Sequence, residues 1–240
     1  MPDYSILKVK DKTDSYYTHL KDIFDIPFRI IIVGKSFLSG KSTVILNLLL
    51  RDSFYKDHFK GENIYIISNN KMDAKMRILK EEKDIDPSHF MEFSEENLEM
   101  IYEEVEENAL EHVSDGKKPP NSLIVLDDVA FTGALKEKVN GTLSRIVCNG
   151  RHINLSIIVT SQKYSQLSTV IRTNASGAIL FGNSAREVEA MADDLNYLDS
   201  KKEFVKMFRK ATKGRNQFMA VSFSNDEIYL DSEFKPIVMD

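Results

Sequence analysis

The segment Gly34-Lys35-Ser36-Phe37-Leu38-Ser39-Gly40-Lys41-Ser42-Thr43 has the residue types that hold a polyphosphate. A tight loop that opens a helix turns several backbone N–H groups toward one point, and the helix N-terminus adds positive potential there. In such a loop Gly40 lets the backbone come close, Lys41 reaches the outer phosphates, and the Ser42 hydroxyl coordinates magnesium. Gly34, Ser39 and Thr43 complete the expected cradle. The spacing departs from G-x-x-x-x-G-K-[ST], because five residues separate Gly34 from Gly40. Either the loop is one residue longer, or Lys35 stands where the first glycine is expected.

A second group lies at the end of Leu123-Ile124-Val125-Leu126-Asp127-Asp128. Four apolar residues followed by two carboxylates read as a buried strand that delivers both acids to its carboxyl end. Asp127 is the expected metal-holding carboxylate. Asp128, beside it, is the expected general base for an attacking water. A third group is Asn149-Gly150-Arg151-His152-Ile153-Asn154 through Thr160-Ser161-Gln162. Gln162 follows a strand and can hydrogen-bond a terminal phosphate or the water that attacks it. Arg151 precedes the same strand, so it lies at the opposite sheet edge from its own subunit's phosphates. In a ring it could reach a neighbour's site as an arginine finger.

One tempting motif is set aside. Asn70-Lys71-Met72-Asp73 fits the N-K-x-D pattern of guanine readers, but it comes before the acidic strand, and Ala130 stands where D-x-x-G needs glycine. It reads as a loop and helix start. Ser68 and Asn69, at the end of the strand before it, could face a nucleotide.

The elements that must position these groups follow from local patterning. Short β-branched runs at 28–33, 64–68, 123–127, 155–160 and 178–181 read as strands, with a shorter one at 90–93. Helical patterns occupy 43–50, 71–83, 94–113, 135–148, 185–195 and 201–211, the fourth ending at Asn149-Gly150 as a left-handed cap. Runs 217–223 and 227–230, joined through Ser224-Asn225-Asp226, predict a terminal hairpin. Alternating helices and near-continuous apolar strands predict an α/β domain with a mostly parallel central sheet flanked by helices. Ligands bind such sheets beyond the carboxyl ends of the strands, which is where the phosphate loop, the acidic pair and Gln162 fall. Residues 1–26 read as an N-terminal arm and 27–240 as a single domain.

Bulk properties set limits. The net charge of −5 excludes a whole-surface basic field, so contact with nucleic acid must be local. A candidate is the run Lys201, Lys202, Lys206, Arg209, Lys210, Lys213 and Arg215, although a solvated helix face explains it equally well. The acidic helix 94–113 would repel DNA and is expected to face outward or toward a partner. A single cysteine, Cys148, excludes an internal disulfide framework and reads as packing. No apolar run reaches membrane-spanning length and the N-terminus is polar, so a soluble intracellular protein without membrane insertion is expected.

Taken together, the phosphate loop, the LIVLDD strand, the N-G-R-H-I-N-L-S-I-I-V-T-S-Q segment and Val170-Ile171-Arg172-Thr173-Asn174 resemble the genome-packaging ATPases of large DNA viruses and virophages. These form the poxvirus-type branch of the FtsK–HerA superfamily, and the likeness runs from about Phe28 to Phe181. The resemblance implies a RecA-like (ASCE) P-loop fold and a homo-oligomeric ring, a pentamer or hexamer. It implies that ATP, with Mg2+, drives double-stranded DNA into a preformed capsid, with capsid vertex or portal proteins as partners. The expected location is the virion or the virus factory in the host cytoplasm. Carried over by position, Lys41 and Ser42 hold phosphate and magnesium, Asp127 and Asp128 do metal and base work, and Gln162 is the sensor. Arg151 is the first finger candidate, with Arg172 and Arg145 behind it. Many relatives carry Glu where this chain has the shorter Asp128. Two other readings stay open on the residues alone. A small nucleotide or metabolite kinase would show an Arg-rich lid, and a nucleotide-switched assembly protein would bind ATP but turn it over slowly.

Overall fold

The computed structural model describes residues 12–20, 23–36, 39–70, 73–129, 133–136, 141–224 and 228–238. The expectations for most of the N-terminal arm, for Phe37 and Leu38 of the phosphate loop, for Lys71, Met72 and Ala130, for 137–140, and for Asn225 and Asp226 lie outside these residues.

Eight strands form one sheet: β1 (Arg29–Val33), β2 (Ile64–Ser68), β3 (Phe90–Met91), β4 (Ser122–Asp127), β5 (Leu155–Ser161), β6 (Gly177–Phe181), β7 (Phe218–Ser222) and β8 (Tyr229–Leu230). Their order is β3-β2-β4-β5-β1-β6-β7-β8. The first six run parallel, β7 pairs antiparallel with β6, and β8 pairs antiparallel with β7. The apolar runs are explained by double-sided burial. Ile30 and Ile32 of β1 pack on one face against Ile45, Leu48 and Leu49 of α1 (Lys41–Leu50) and Met76 and Leu79 of α2 (Ala74–Glu82). Ile31 and Val33 face the other side, where α3 (Glu95–Ser114), α4 (Thr142–Asn149), α5 (Thr169–Asn174), α6 (Ala185–Leu195) and α7 (Lys201–Ala211) cover the sheet. Alternate residues of one strand thus enter two separate cores, which forces an unbroken apolar sequence. Among the described residues no helix is long and apolar enough to cross a membrane.

Several local expectations change. The helix expected over 135–148 is described as a 3-10 turn at Ala134–Lys136 and then α4, which Gly141 starts from an extended conformation. Gly150 is not left-handed. Its φ of −52° continues the chain into a 3-10 turn, Gly150–Ile153, and the left-handed residue is Asn154 at φ 57°. Glycine at 150 relieves a tight approach, because a Cβ there would stand 3.1 Å from the Leu155 carbonyl oxygen. Asn154 is held by its Nδ2, which donates to the Pro119 carbonyl and to Asn121 Oδ1, both at 2.8 Å. Cys148 is exposed, because the buried stripe of α4 runs through Leu143, Ile146 and Val147 and passes it by.

The acidic helix α3 does not turn all its acids outward. Glu95 and Glu99 accept from the Thr142 N–H and hydroxyl at 2.6 Å, and Glu99 pairs with Arg145 at 3.0 Å, so this edge clamps α4. Glu96, Glu103 and Glu107 remain exposed.

Candidate functional site

Each site element reaches the same edge of the sheet for a local reason. β1 ends at Val33, and Gly34 donates its N–H to the Ser161 carbonyl at 3.0 Å, tying the loop to the end of β5. The loop then folds back on itself. A Cβ on Gly34 would stand 2.8 Å from the Ser39 Cβ and 2.9 Å from the Phe181 Cβ, so only glycine fits there. Gly40 caps α1 in the left-handed region at φ 85°, which aims the first N–H groups of the helix into the loop. Lys41 lies within it, its Nζ donating to the Gly34 carbonyl at 2.7 Å and to the Lys35 carbonyl at 3.3 Å. Burial lowers the Lys41 pKa, and Asp127 and Asp128 oppose that shift.

The acidic pair ends β4. β5 lies between β4 and β1, so the ends of three adjacent strands bring Lys41, the two carboxylates and Gln162 to one place. Thr160 organises them. Its hydroxyl donates to Asp127 Oδ1 at 2.8 Å and accepts from the Asp128 N–H at 3.1 Å. Asp128 takes a left-handed φ of 53°, which carries its side chain off the strand line toward Gln162. Gln162 Nε2 approaches Asp128 Oδ1 at 3.4 Å, and the Gln162 carbonyl is fixed by Asn183 at 3.2 Å.

Asp127 is only 4% exposed. Burial raises its pKa, the Thr160 hydrogen bond opposes the rise, and Asp73 and Asp128 add to it. Its Oδ2 accepts from no donor among the described residues. A desolvated carboxylate with one open oxygen, at the strand end beside the phosphate loop, suits a hard divalent cation such as magnesium.

That burial has a testable sign. The Asp127 pKa in the folded protein lies above its unfolded value, so its contribution to stability is favourable below the unfolded pKa and lost as pH rises through the folded one. Ionised Asp127 therefore destabilises the protein near pH 7. Asp127→Asn keeps the acceptor for Thr160 and removes the charge. It is expected to raise Tm by a few degrees at pH 7 in the absence of nucleotide and divalent cation, with the gain shrinking as the pH falls toward about 4. Melting curves across that range check it, and a fall in Tm at pH 7 contradicts it.

A cavity of about 460 Å³ opens over the loop, within the size range of small-molecule sites. Ser36, Ser39, Gly40, Lys41, Ser42 and Thr43 form its floor. Its walls are residues not singled out for this site from sequence. On one side stand Asp73 and Lys75 at the start of α2, and on the other Arg215 and Asn216 before β7. Asp73 caps α2, accepting from the Lys75 and Met76 N–H groups, which fits its reading as a helix start. Lys75 Nζ meets the Thr43 hydroxyl at 2.6 Å. Arg215, grouped above with the basic run, belongs to this cavity, because α7 stops at Ala211. Ser68 and Asn69 are occupied locally, accepting from the Asn70 N–H and the Phe93 N–H.

The three arginine candidates lie elsewhere. Arg145 pairs with Glu99 and lies 4.2 Å from the Tyr102 ring centroid. Arg172 pairs with Asp194, donates to the Leu167 carbonyl at 3.2 Å and lies over Tyr164. Arg151 is exposed in the turn before β5, where its Nε donates to His152 Nε2 at 3.4 Å. Burial lowers the pKa of Arg29, and the Arg151 charge adds to that shift.

Comparison with known proteins bears on the chain as a whole. The DNA packaging protein OPG160 of vaccinia virus (strain Copenhagen) is 25% identical over 222 residues, 90% of this chain and 75% of the relative. The DNA packaging protein OPG160 of monkeypox virus is 25% identical over 223 residues, 90% of this chain and 68% of the relative. In fold, the chain is similar to the genome packaging NTPase B204 of Sulfolobus turreted icosahedral virus 2 in complex with AMPPCP. The TM-score is 0.59 at 15% identity, over 88% of this chain and 98% of that one. The Poxvirus A32 protein family matches residues 16–235, and the chain belongs to that family.

Proposed function

We propose that this protein is an ATPase that packages double-stranded viral DNA into a preformed capsid, hydrolysing ATP to ADP and phosphate. The observation that carries the reading is the convergence of Lys41, Asp127, Asp128 and Gln162 on one loop-and-helix site at the carboxyl edge of β1, β4 and β5. Its family and the DNA packaging proteins similar to it supply the substrate that is moved.

In this mechanism the N–H groups of residues 39–43 and the Lys41 ammonium hold the β- and γ-phosphates. Lys41 exchanges its contacts with the Gly34 and Lys35 carbonyls for phosphate oxygens. Ser42 and Asp127 would hold Mg2+, which would supply charge neutralisation on the phosphate oxygens. Asp128 takes a proton from water as the water oxygen bonds to the γ-phosphorus and the bond to the bridging oxygen breaks. Gln162, hydrogen-bonded to Asp128, holds that water and registers loss of the γ-phosphate. Arg151 completes the site of the next subunit in a homo-oligomeric ring, a pentamer or hexamer. The partners are DNA, which contacts a local basic surface, and capsid vertex or portal proteins. The protein acts in the virus factory or the virion.

The test is an ATPase assay with and without double-stranded DNA, run beside a size measurement. DNA is expected to stimulate turnover of an oligomer, and Lys41→Ala to lower it by about 10²–10³-fold. A strict monomer under all nucleotide conditions, with no response to DNA, overturns the motor reading.

A further inference from the structure

We infer that Arg215 and Asn216 form the nucleoside end of the cavity and select adenine there. The inference rests on the reading that residues 39–43 bind a nucleoside triphosphate. The direction of the nucleotide follows from the strand order. The carboxylates and Gln162 that would act on the terminal phosphate end β4 and β5, which lie on one side of β1. A phosphate chain laid over Gly40–Thr43 with its outer end toward β4 directs its nucleoside to the opposite side of β1, toward β6 and β7. The loop that leads into β7 stands there and lines the cavity with Arg215 and Asn216.

That loop is shaped to present both side chains. Gln217 Oε1 accepts from the Gly214 N–H at 2.9 Å and closes the turn. Asn216 takes a left-handed φ of 61°. Its Oδ1 and Cβ stand 3.6 and 3.8 Å from where a Cβ on Gly40 would be. The Asn216 side chain thus stands directly beside the phosphate loop, at ordinary van der Waals distance from that position. Both residues are exposed, and neither side chain has a hydrogen-bond or ion-pair partner among the described residues.

The chemistry of the pair matches a purine. A guanidinium plane stacks on an aromatic face without regard to which base carries it. A side-chain amide offers one donor and one acceptor side by side, which pairs with adenine N7 and N6. Guanine presents two acceptors on that edge, N7 and O6, and the amide oxygen would meet O6 acceptor to acceptor. Arg215 therefore contributes affinity for any purine nucleotide, and Asn216 contributes the choice of adenine.

Equilibrium binding of ATP, GTP and inorganic tripolyphosphate, which has no base, tests this in the full chain. Asn216→Gly keeps the left-handed backbone and removes the amide. It is expected to weaken ATP by about ten-fold, leave GTP and tripolyphosphate unchanged, and so abolish the preference for ATP. Arg215→Ala is expected to weaken ATP and GTP alike by about five-fold and to spare tripolyphosphate. Arg215→Lys, which keeps the charge without the plane, is expected to behave like Arg215→Ala. Three results overturn the inference: an ATP preference that survives Asn216→Gly, a loss of tripolyphosphate binding in either alanine or glycine variant, or rescue by Arg215→Lys. Failure of the underlying reading is distinguishable, because then Lys41→Ala would leave all three ligands bound as before.

Discussion

Arg151→Ala is expected to lower ATP turnover of the assembled protein by about 10³–10⁵-fold while each subunit still folds and binds ATP. The size of the effect comes from the charge that develops on the γ-phosphoryl group, which an arginine supplied by a neighbouring subunit stabilises in the transition state. Arg151 cannot act within its own chain. It precedes β5, and that 7-residue strand alone sets it about 20 Å from Gln162 at about 3.3 Å per residue. Of the three candidates it is also the one with no ion pair or ring contact among the described residues, whereas Arg145 is tied to Glu99 and Tyr102, and Arg172 to Asp194 and Tyr164. A mixing experiment separates a trans role from a local one. Lys41→Ala subunits have a dead site but an intact Arg151, and Arg151→Ala subunits have the reverse. In an equal mixture, about one site in four receives both working parts, and activity should reappear. If no activity returns, or if Arg145→Ala or Arg172→Ala removes turnover while Arg151→Ala does not, the assignment to Arg151 is wrong.

Much of this site could be read from the chain because its parts are contiguous. The loop 34–43, the pair Asp127-Asp128 and the run to Gln162 each sit immediately beside an apolar strand, and a strand buried on both faces announces itself in the sequence. The walls of the cavity were not legible. Asp73 reaches the site because β2 pairs with β4, and strand order is not written in local composition. Arg215 and Asn216 reach it because β7 runs antiparallel to β6, which brings the start of β7 to the carboxyl edge. In a wholly parallel sheet that loop would lie at the far end. Arg215 also stood next to a run of lysines, and charge patterning joined it to them. Gly150 misled for a different reason. A glycine after a helix commonly marks a left-handed residue, but here Gly150 is right-handed and closely approached by Leu155, and the left-handed role passes to Asn154 four residues on.

Thr160 shows the same limit at smaller scale. Its place in T-S-Q drew attention to Gln162, yet its buried hydroxyl is the group that joins Asp127 to the backbone of Asp128. Which of three consecutive polar residues points at a neighbouring strand depends on register, here Leu126 opposite Val159, and so only on the assembled sheet.

Asp128→Asn is the second large effect expected, a fall in turnover of about 10²–10⁴-fold with ATP affinity retained. The substitution is a clean one because of the backbone. At φ 53° a residue with a Cβ is strained, and Asn and Asp are the side chains that tolerate that conformation best. Asparagine therefore keeps the turn, the N–H bond to Thr160 and a hydrogen-bonding group toward Gln162, and removes only the proton acceptor. Asp128→Ala would add backbone strain and lose the contact to Gln162, so its larger loss would say less about the base. A parallel variant, Gln162→Ala, leaves the carboxylate in place and is expected to cost less than Asp128→Asn, because water would be held less well but still deprotonated. Single-turnover measurement with saturating ATP isolates the chemical step from product release. If Asp128→Asn hydrolyses ATP at the unmodified rate in that assay, the proton goes elsewhere, and the left-handed turn at Asp128 serves only to seat Gln162.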